Sequence, residues 1–294
     1  MISLVFFGSS EYSLIILRKI LTLSNFSLSL VVSKIDKPFG RDQTVTPNPV
    51  VKFARDNNLP LLQIENFSPD HKSSIINHKS DLGLCVAFGP PFFDEDLIDM
   101  FTHKIVNIHP SPLPKYRGAT PGPWQIINGE TASAVTFFQI DPLPDHGPII
   151  ATIPFTISST ETADSFYQKA FSMAADNLDS VLESYTGPKS SLIPQDHSQK
   201  SYFPKLSKDG AKIDWSWSPE KIEHFVRALI PWPIAWTFAA NHKGVNFKMK
   251  IFSFDSKINE PQKVQIEGKK FTLWSEIKTH YSIVKQKYLL QYHP

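Results

Sequence analysis

Residues 2–23 read ISLVFFGSSEYSLIILRKILTL. The run ISLVFF is apolar and stops at Gly8; from Glu11 the apolar side chains return at the spacing of one helix face. Strand, tight turn, helix is the first half of a βαβ unit. The pattern repeats outward. LSLVVS (28–33) is a second strand, closed by KIDKPFGRD (34–42), and PNPVVKFARDNN (47–58) is a helix with proline at its start. LPLLQI (59–64), a polar segment and LGLCVAF (82–88) follow, then KIVNIHP (104–110), and SAVTFFQID (133–141) with GPIIATIPF (147–155) as a hairpin around PLPDH. This alternation predicts an α/β fold on a mostly parallel sheet. A long amphipathic helix over residues 165–184 presents Phe166, Ala170, Ala174, Leu178 and Val181 on one face and is stopped by Gly187-Pro188.

The second part reads differently. A linker-like GPKSSLIPQDHSQKS (187–201) precedes the helix SPEKIEHFVRAL (218–229). VNFKMKI then alternates, with Val245, Phe247, Met249 and Ile251 expected inward, and KVQIEGKKFTLWS is a hairpin about Glu267-Gly268. Short alternating strands after an α/β body predict a small OB-like β-barrel. The expected division is a catalytic domain over 1–187, a linker over 188–204 and a β-barrel domain over 205–294.

Of 294 residues, 41% are hydrophobic and 20% charged, which suits a folded chain with a sizeable core. No apolar run approaches the roughly 20 residues that span a bilayer. The start MISLVFFGSSEYS carries no basic segment of a signal or transit peptide, so the cytoplasm is the expected compartment. A single cysteine, Cys85, excludes an internal disulfide and a cysteine-based metal site, and reads as a small core residue. Charge is uneven: residues 241–294 carry ten lysines and four acids, net +6, leaving −4 for the rest. A basic end on a mildly acidic body points to a polyanionic partner, or to lysines that solvate the outer face of a β module.

The chemistry is expected at strand ends. In VNIHPSPLPKYRGATP (106–121), Asn107 and His109 lie two apart on a strand and so share a face. An amide can donate to a developing oxyanion while an imidazole moves a proton. DPLPDHGPI (141–149) brings Asp141 and Asp145 into another rigid strand-end loop; a carboxylate near His109 would orient the ring and favour its protonated form. The first βα turn, FFGSSEYS, lacks the glycine pattern of a dinucleotide site, and no Walker A loop, H-E-x-x-H or G-x-S-x-G occurs. His146 beside Asp145 reads as a solvent-facing loop residue.

The two loops together resemble the folate-dependent formyltransferases, whose patterns are N-x-H-x-S-L-L-P-x-x-R-G-x-x-P and D-x-x-x-D-x-G. DKPFGRD, TPNPVVKFARDNNLPLLQ and SYFPKLSKDGAKIDWSWSPEKIEHFVRALIPWPIAWT resemble in particular the branch that acts on methionyl-tRNA, from Met1 to about Phe238. The resemblance implies a Rossmann-like catalytic domain and transfer of a formyl group from 10-formyltetrahydrofolate to the α-amine of methionine on initiator Met-tRNA. No metal, no membrane and no obligate protein partner are expected. It implies Asn107, His109 and Asp145 as the catalytic trio. Ser111, Pro112, Leu113 and Pro114 would line the folate site, with Val86, Phe88 and Gly89 and then Gln139, Ile140 and Asp141 holding the pterin through the backbone. Arg41, Lys205, Lys248 and Lys250 would meet the tRNA. The chain departs from the pattern at Pro112, where leucine is usual, and at Asp42-Gln43-Thr44, where basic residues are common. A sugar-nucleotide N-formyltransferase sharing the trio is the alternative enzyme; a catalytically silent RNA-binding scaffold is the alternative of another class.

Overall fold

The computed structural model describes residues 1–39, 42 and 44–286. Strand β1 (Ile2–Gly8) leads into helix α1 (Glu11–Ile20). The Ser10 hydroxyl accepts from the Ser13 amide at 3.0 Å and the Ser13 hydroxyl accepts from the Ser10 amide at 3.1 Å. This reciprocal cap satisfies amides that a helix start leaves bare. The chain continues through β2 (Phe26–Lys34), β3 (Lys37–Phe39), β4 (Thr44–Thr46), α2 (Pro49–Asp56), β5 (Leu61–Ile64), α3 (Pro69–Asn77) and β6 (Leu82–Val86). Next come α4 (Glu95–Asp99), β7 (Ile105–His109), α5 (Pro121–Ile127), β8 (Ala132–Gln139), β9 (Ile149–Thr156) and α6 (Ala163–Thr186). The last stretch holds α7 (Pro219–Ala228), β10 (Ala235–Asn241), β11 (Asn246–Asp255), β12 (Glu260–Ile266), β13 (Phe271–Leu273), α8 (Trp274–Ile277) and β14 (Tyr281–Val284).

These elements form two compact units. One comprises Met1–Arg117, Ala134–Phe155 and Gln168–Lys200; the other comprises Gly118–Ser133, Thr156–Tyr167 and Ser201–Pro294. The first is built on a seven-stranded sheet of order β5-β2-β1-β6-β7-β8-β9. β5, β2, β1, β6 and β7 run parallel and β8 is antiparallel to β7. The chain moves outward from β1 to β2 and β5, then crosses back to β6 on the other side of β1. Such a reversal opens a crevice at the carboxyl ends of the strands that flank it. Beneath it Phe7 is fully buried, and its ring meets Phe67, Phe88, Phe93 and Phe101 edge-on at 5.0–6.3 Å between centroids. Edge-to-face contact suits the aromatic quadrupole and adds to the burial of large apolar rings.

All five residues of the stripe predicted for the long helix, Phe166, Ala170, Ala174, Leu178 and Val181, are buried on α6. α3 and α5 are not foreshadowed by periodicity. α3 buries only Ile75, so it has no apolar stripe, though Ser68 caps it and Pro69 opens it. α5 is buried on all sides, so it has no polar face, and its Pro-Gly-Pro start reads as a loop.

The second unit holds five strands in the order β13-β12-β11-β10-β14. The expected closed barrel is not met: β13 and β14 are the edges, and among the described residues no pairing joins them. The inward set on β11 is also smaller than alternation suggests. Met249 and Ile251 are fully buried, whereas Val245 precedes the strand and is 50% exposed. No helix among the described residues is long and apolar enough to cross a membrane.

Candidate active site

β7 carries Asn107 and His109 on one face at its carboxyl end. Asn107 sits between Cys85 of β6 and Phe138 of β8 in register. Its half-buried amide makes no side-chain hydrogen bond among the described residues, which leaves both its donor and its acceptor open to a ligand. His109 is buried, with the Phe138 ring edge-on to it at 6.5 Å. Its Nε2 lies 2.9 Å from the Tyr116 carbonyl. A carbonyl only accepts, so Nε2 carries the hydrogen and Nδ1 is where a proton comes and goes. That Nδ1 lies 3.6 Å from Asp145 Oδ1. The separation is close enough for charge to act and too long for a hydrogen bond, so Nδ1 is open to a third group.

The loop after β7 is held from inside. Thr136, opposite His109 on β8, donates through its hydroxyl to the Ser111 carbonyl at 2.6 Å and accepts from the Leu113 amide at 3.4 Å. The buried Ser111 hydroxyl donates to the Lys115 carbonyl at 2.8 Å, and the Leu113–Pro114 peptide is cis. Tyr116 takes a positive φ of 60°, sparsely used by aromatic residues, and its carbonyl meets the imidazole. Sequence reasoning missed Tyr116 and Thr136. Tyr116 acts through its backbone, and Thr136 looks like any strand threonine until the β7–β8 register is known.

Asp145 also has a positive φ, 50°. Two residues on, a Cβ built on Gly147 would lie 1.9 Å from the Gln139 carbonyl oxygen, so only glycine lets the two segments approach. The Arg117 guanidinium is buried beneath this loop; burial pushes it below its ordinary range, and the negative fields of Asp145 and then Asp141 oppose that push.

The remaining expected positions divide. Val86 ends β6, with its carbonyl accepting from the Ser13 hydroxyl at 2.6 Å, and Gly89 turns with φ of 70°. Phe88 points into the core, leaving only its backbone for a ligand. The Gln139 amide donates to the Pro148 carbonyl at 2.9 Å and the Ile140 amide to the Ile105 carbonyl at 2.7 Å, so both donors are already committed. Asp141 accepts from the Leu143 amide at 3.0 Å and from His146 Nδ1 at 2.5 Å. Ser111, Pro112, Leu113 and Pro114 belong to the braced loop. Lys205, Lys248 and Lys250 belong to the second unit; Lys205 and Lys250 are exposed, and Lys248 lies 3.9 Å from the centroid of the Trp236 ring. Arg41 lies outside the described residues. Among the described residues no group of three or more His, Cys, Asp or Glu side chains is arranged to hold a metal ion.

Residues 2–182 match the family model of formyl transferases, and residues 205–280 match the model of the formyl transferase C-terminal domain. The chain belongs to the formyl transferase family. Among curated members it is similar to a methionyl-tRNA formyltransferase of Geobacter sulfurreducens, 31% identical over 267 residues that cover 90% of this chain and 83% of the relative. It is also similar to one of Chloroflexus aurantiacus, 35% identical over 236 residues covering 80% and 76%. Among solved structures it is similar in fold to an N-formyltransferase from Helicobacter canadensis in complex with folinic acid and dTDP-3-aminofucose. That match has a TM-score of 0.61 and 21% identity, and covers 87% of this chain and 97% of the other.

Proposed function

We propose that this formyltransferase moves the formyl group of 10-formyltetrahydrofolate to the α-amine of methionine on initiator Met-tRNA, in the cytoplasm. In this reading residues 1–187 carry catalysis and residues 205–294 help hold the tRNA. The observation that carries the chemistry is the convergence of an open Asn107 amide, an open His109 Nδ1 and the Asp145 carboxylate on one strand end. Asn107 and the Nδ1–H of His109 would donate to the formyl oxygen as the amine nitrogen bonds to the formyl carbon. The bond from that carbon to the folate nitrogen then breaks, that nitrogen takes up the proton the amine loses, and Asp145 balances the imidazolium charge. Asn107 and the loop Ser111 to Pro114 would hold the folate, which supplies the formyl group. The preference for Met-tRNA rests on relatives at 31–35% identity across most of their length, and on the lysine-rich end of the chain.

A second reading is transfer to an amino-sugar nucleotide. It is favoured by the fold shared with the Helicobacter canadensis enzyme over 97% of that chain. Parallel assays with the folate donor, Met-tRNA and an amino-sugar nucleotide decide the acceptor. The first reading expects formylated Met-tRNA and an unchanged sugar; the reverse result replaces it with the second.

A further inference from the structure

We propose that Gln195 is a positioning residue that holds Asp145 against His109. Gln195 comes from the segment between α6 and α7 that reads as a linker in the sequence, yet it is only 6% exposed. Its Nε2 donates to the Asp145 carbonyl at 3.0 Å and to the Gly147 carbonyl at 2.7 Å, so one amide grips the loop on both sides of His146. Its Oε1 accepts from Arg117 Nη2 at 2.5 Å. The guanidinium only donates, and the two loop carbonyls only accept, so the amide has one orientation that satisfies all three. The same Nη2 reaches His197 Nδ1 at 2.9 Å, and the His197 ring stacks on His146 at 4.0 Å with 9° between planes. The segment around Gln195 therefore touches the loop at the backbone through Gln195 and at the side chain through His197.

The clamp acts where the backbone needs it. Left-handed backbone at a residue bearing a Cβ is sparsely populated and persists where the surroundings impose it. Asp145 has φ of 50° and its Oδ1 is 3.6 Å from His109 Nδ1. Release of its carbonyl lets that backbone relax and carries the carboxylate away from the ring. The proposal depends on formyl transfer at His109 and not on which acceptor is used.

The test uses the full chain with Gln195→Glu and Gln195→Met. The first keeps an acceptor for Arg117 and removes both donors; the second removes all three bonds without adding charge. Each is expected to lower kcat about 10- to 100-fold, the range that a misplacement of about 1 Å produces, with the KM for the folate donor within about threefold of wild type. Combined with Asp145→Asn, either change is expected to add little further loss, because the two act through one contact. In [15N]histidine-labelled protein, Gln195→Glu is expected to move the His109 Nδ1 resonance in the direction that Asp145→Asn moves it, a readout that needs no acceptor. A folded variant with kcat within twofold of wild type, fully additive losses in the double variant, or an unmoved His109 resonance overturns the proposal.

Discussion

Lys34 ends β2 with its ammonium 3.8 Å from the centroid of the Phe88 ring and donating to the Pro90 carbonyl. Desolvation lowers its pKa to about 8, Cys85 pulling the other way and Lys37 adding to the fall. An unfolded lysine holds its proton to about 10.4, so between these values the unfolded chain binds the proton and the folded chain does not. Stability therefore rises with pH across that window relative to a chain without the group. In urea unfolding, wild type is expected to gain on Lys34→Met from pH 7.5 to 10; a difference that stays flat or shrinks contradicts this. Single residues were partly legible beforehand. Cys85 reads as a core residue in the sequence, and burial does push its thiol up to about 12. That Asn107 and His109 share a face was legible, because residues two apart on a strand point to the same side. Gln195 was not, because nothing in a polar, proline-flanked stretch says that one amide in it is buried.

Among elements, β7 and its loop depend on a neighbour. Thr136→Val keeps the shape of the β8 side chain and removes its hydroxyl, leaving the Ser111 carbonyl without the donor it has at 2.6 Å. An unsatisfied buried acceptor costs about 1–3 kcal/mol, so unfolding stability is expected to drop by that amount. Turnover is expected to fall with it, because the Tyr116 carbonyl that orients His109 follows this loop. Denaturant titration beside a kinetic assay checks both, and unchanged values in both would disconnect Thr136 from the site. Strands with long apolar runs were readable from the sequence, since burial on both faces leaves no polar alternation to confuse. α5 was not, for a related reason: a helix buried on every side loses the periodicity that marks a helix.

At the scale of the molecule, strand order was the least legible property. Local pattern names β1 and β6 as strands, but only long-range pairing puts them side by side with the reversal between them. The outer face of the second sheet belongs to this scale as well. Lys250 pairs in register with Trp236 and Lys248 with Phe238, setting cations beside aromatic rings. On the tRNA reading these lysines meet phosphate. Lys248→Glu with Lys250→Glu is then expected to weaken Met-tRNA binding and to flatten the slope of log Kd against log salt by about one to two units. Fluorescence anisotropy across a salt series measures it, and an unchanged slope removes this face from the contact. The two units also share the backbone in alternation, so the chain passes between them five times before it ends. Neither is a bead that one cut can free, and a fragment starting at Ser201 would leave behind two other pieces of its own unit. On this division, a single crossover at Ser201 between two such proteins would split the second unit between two parents.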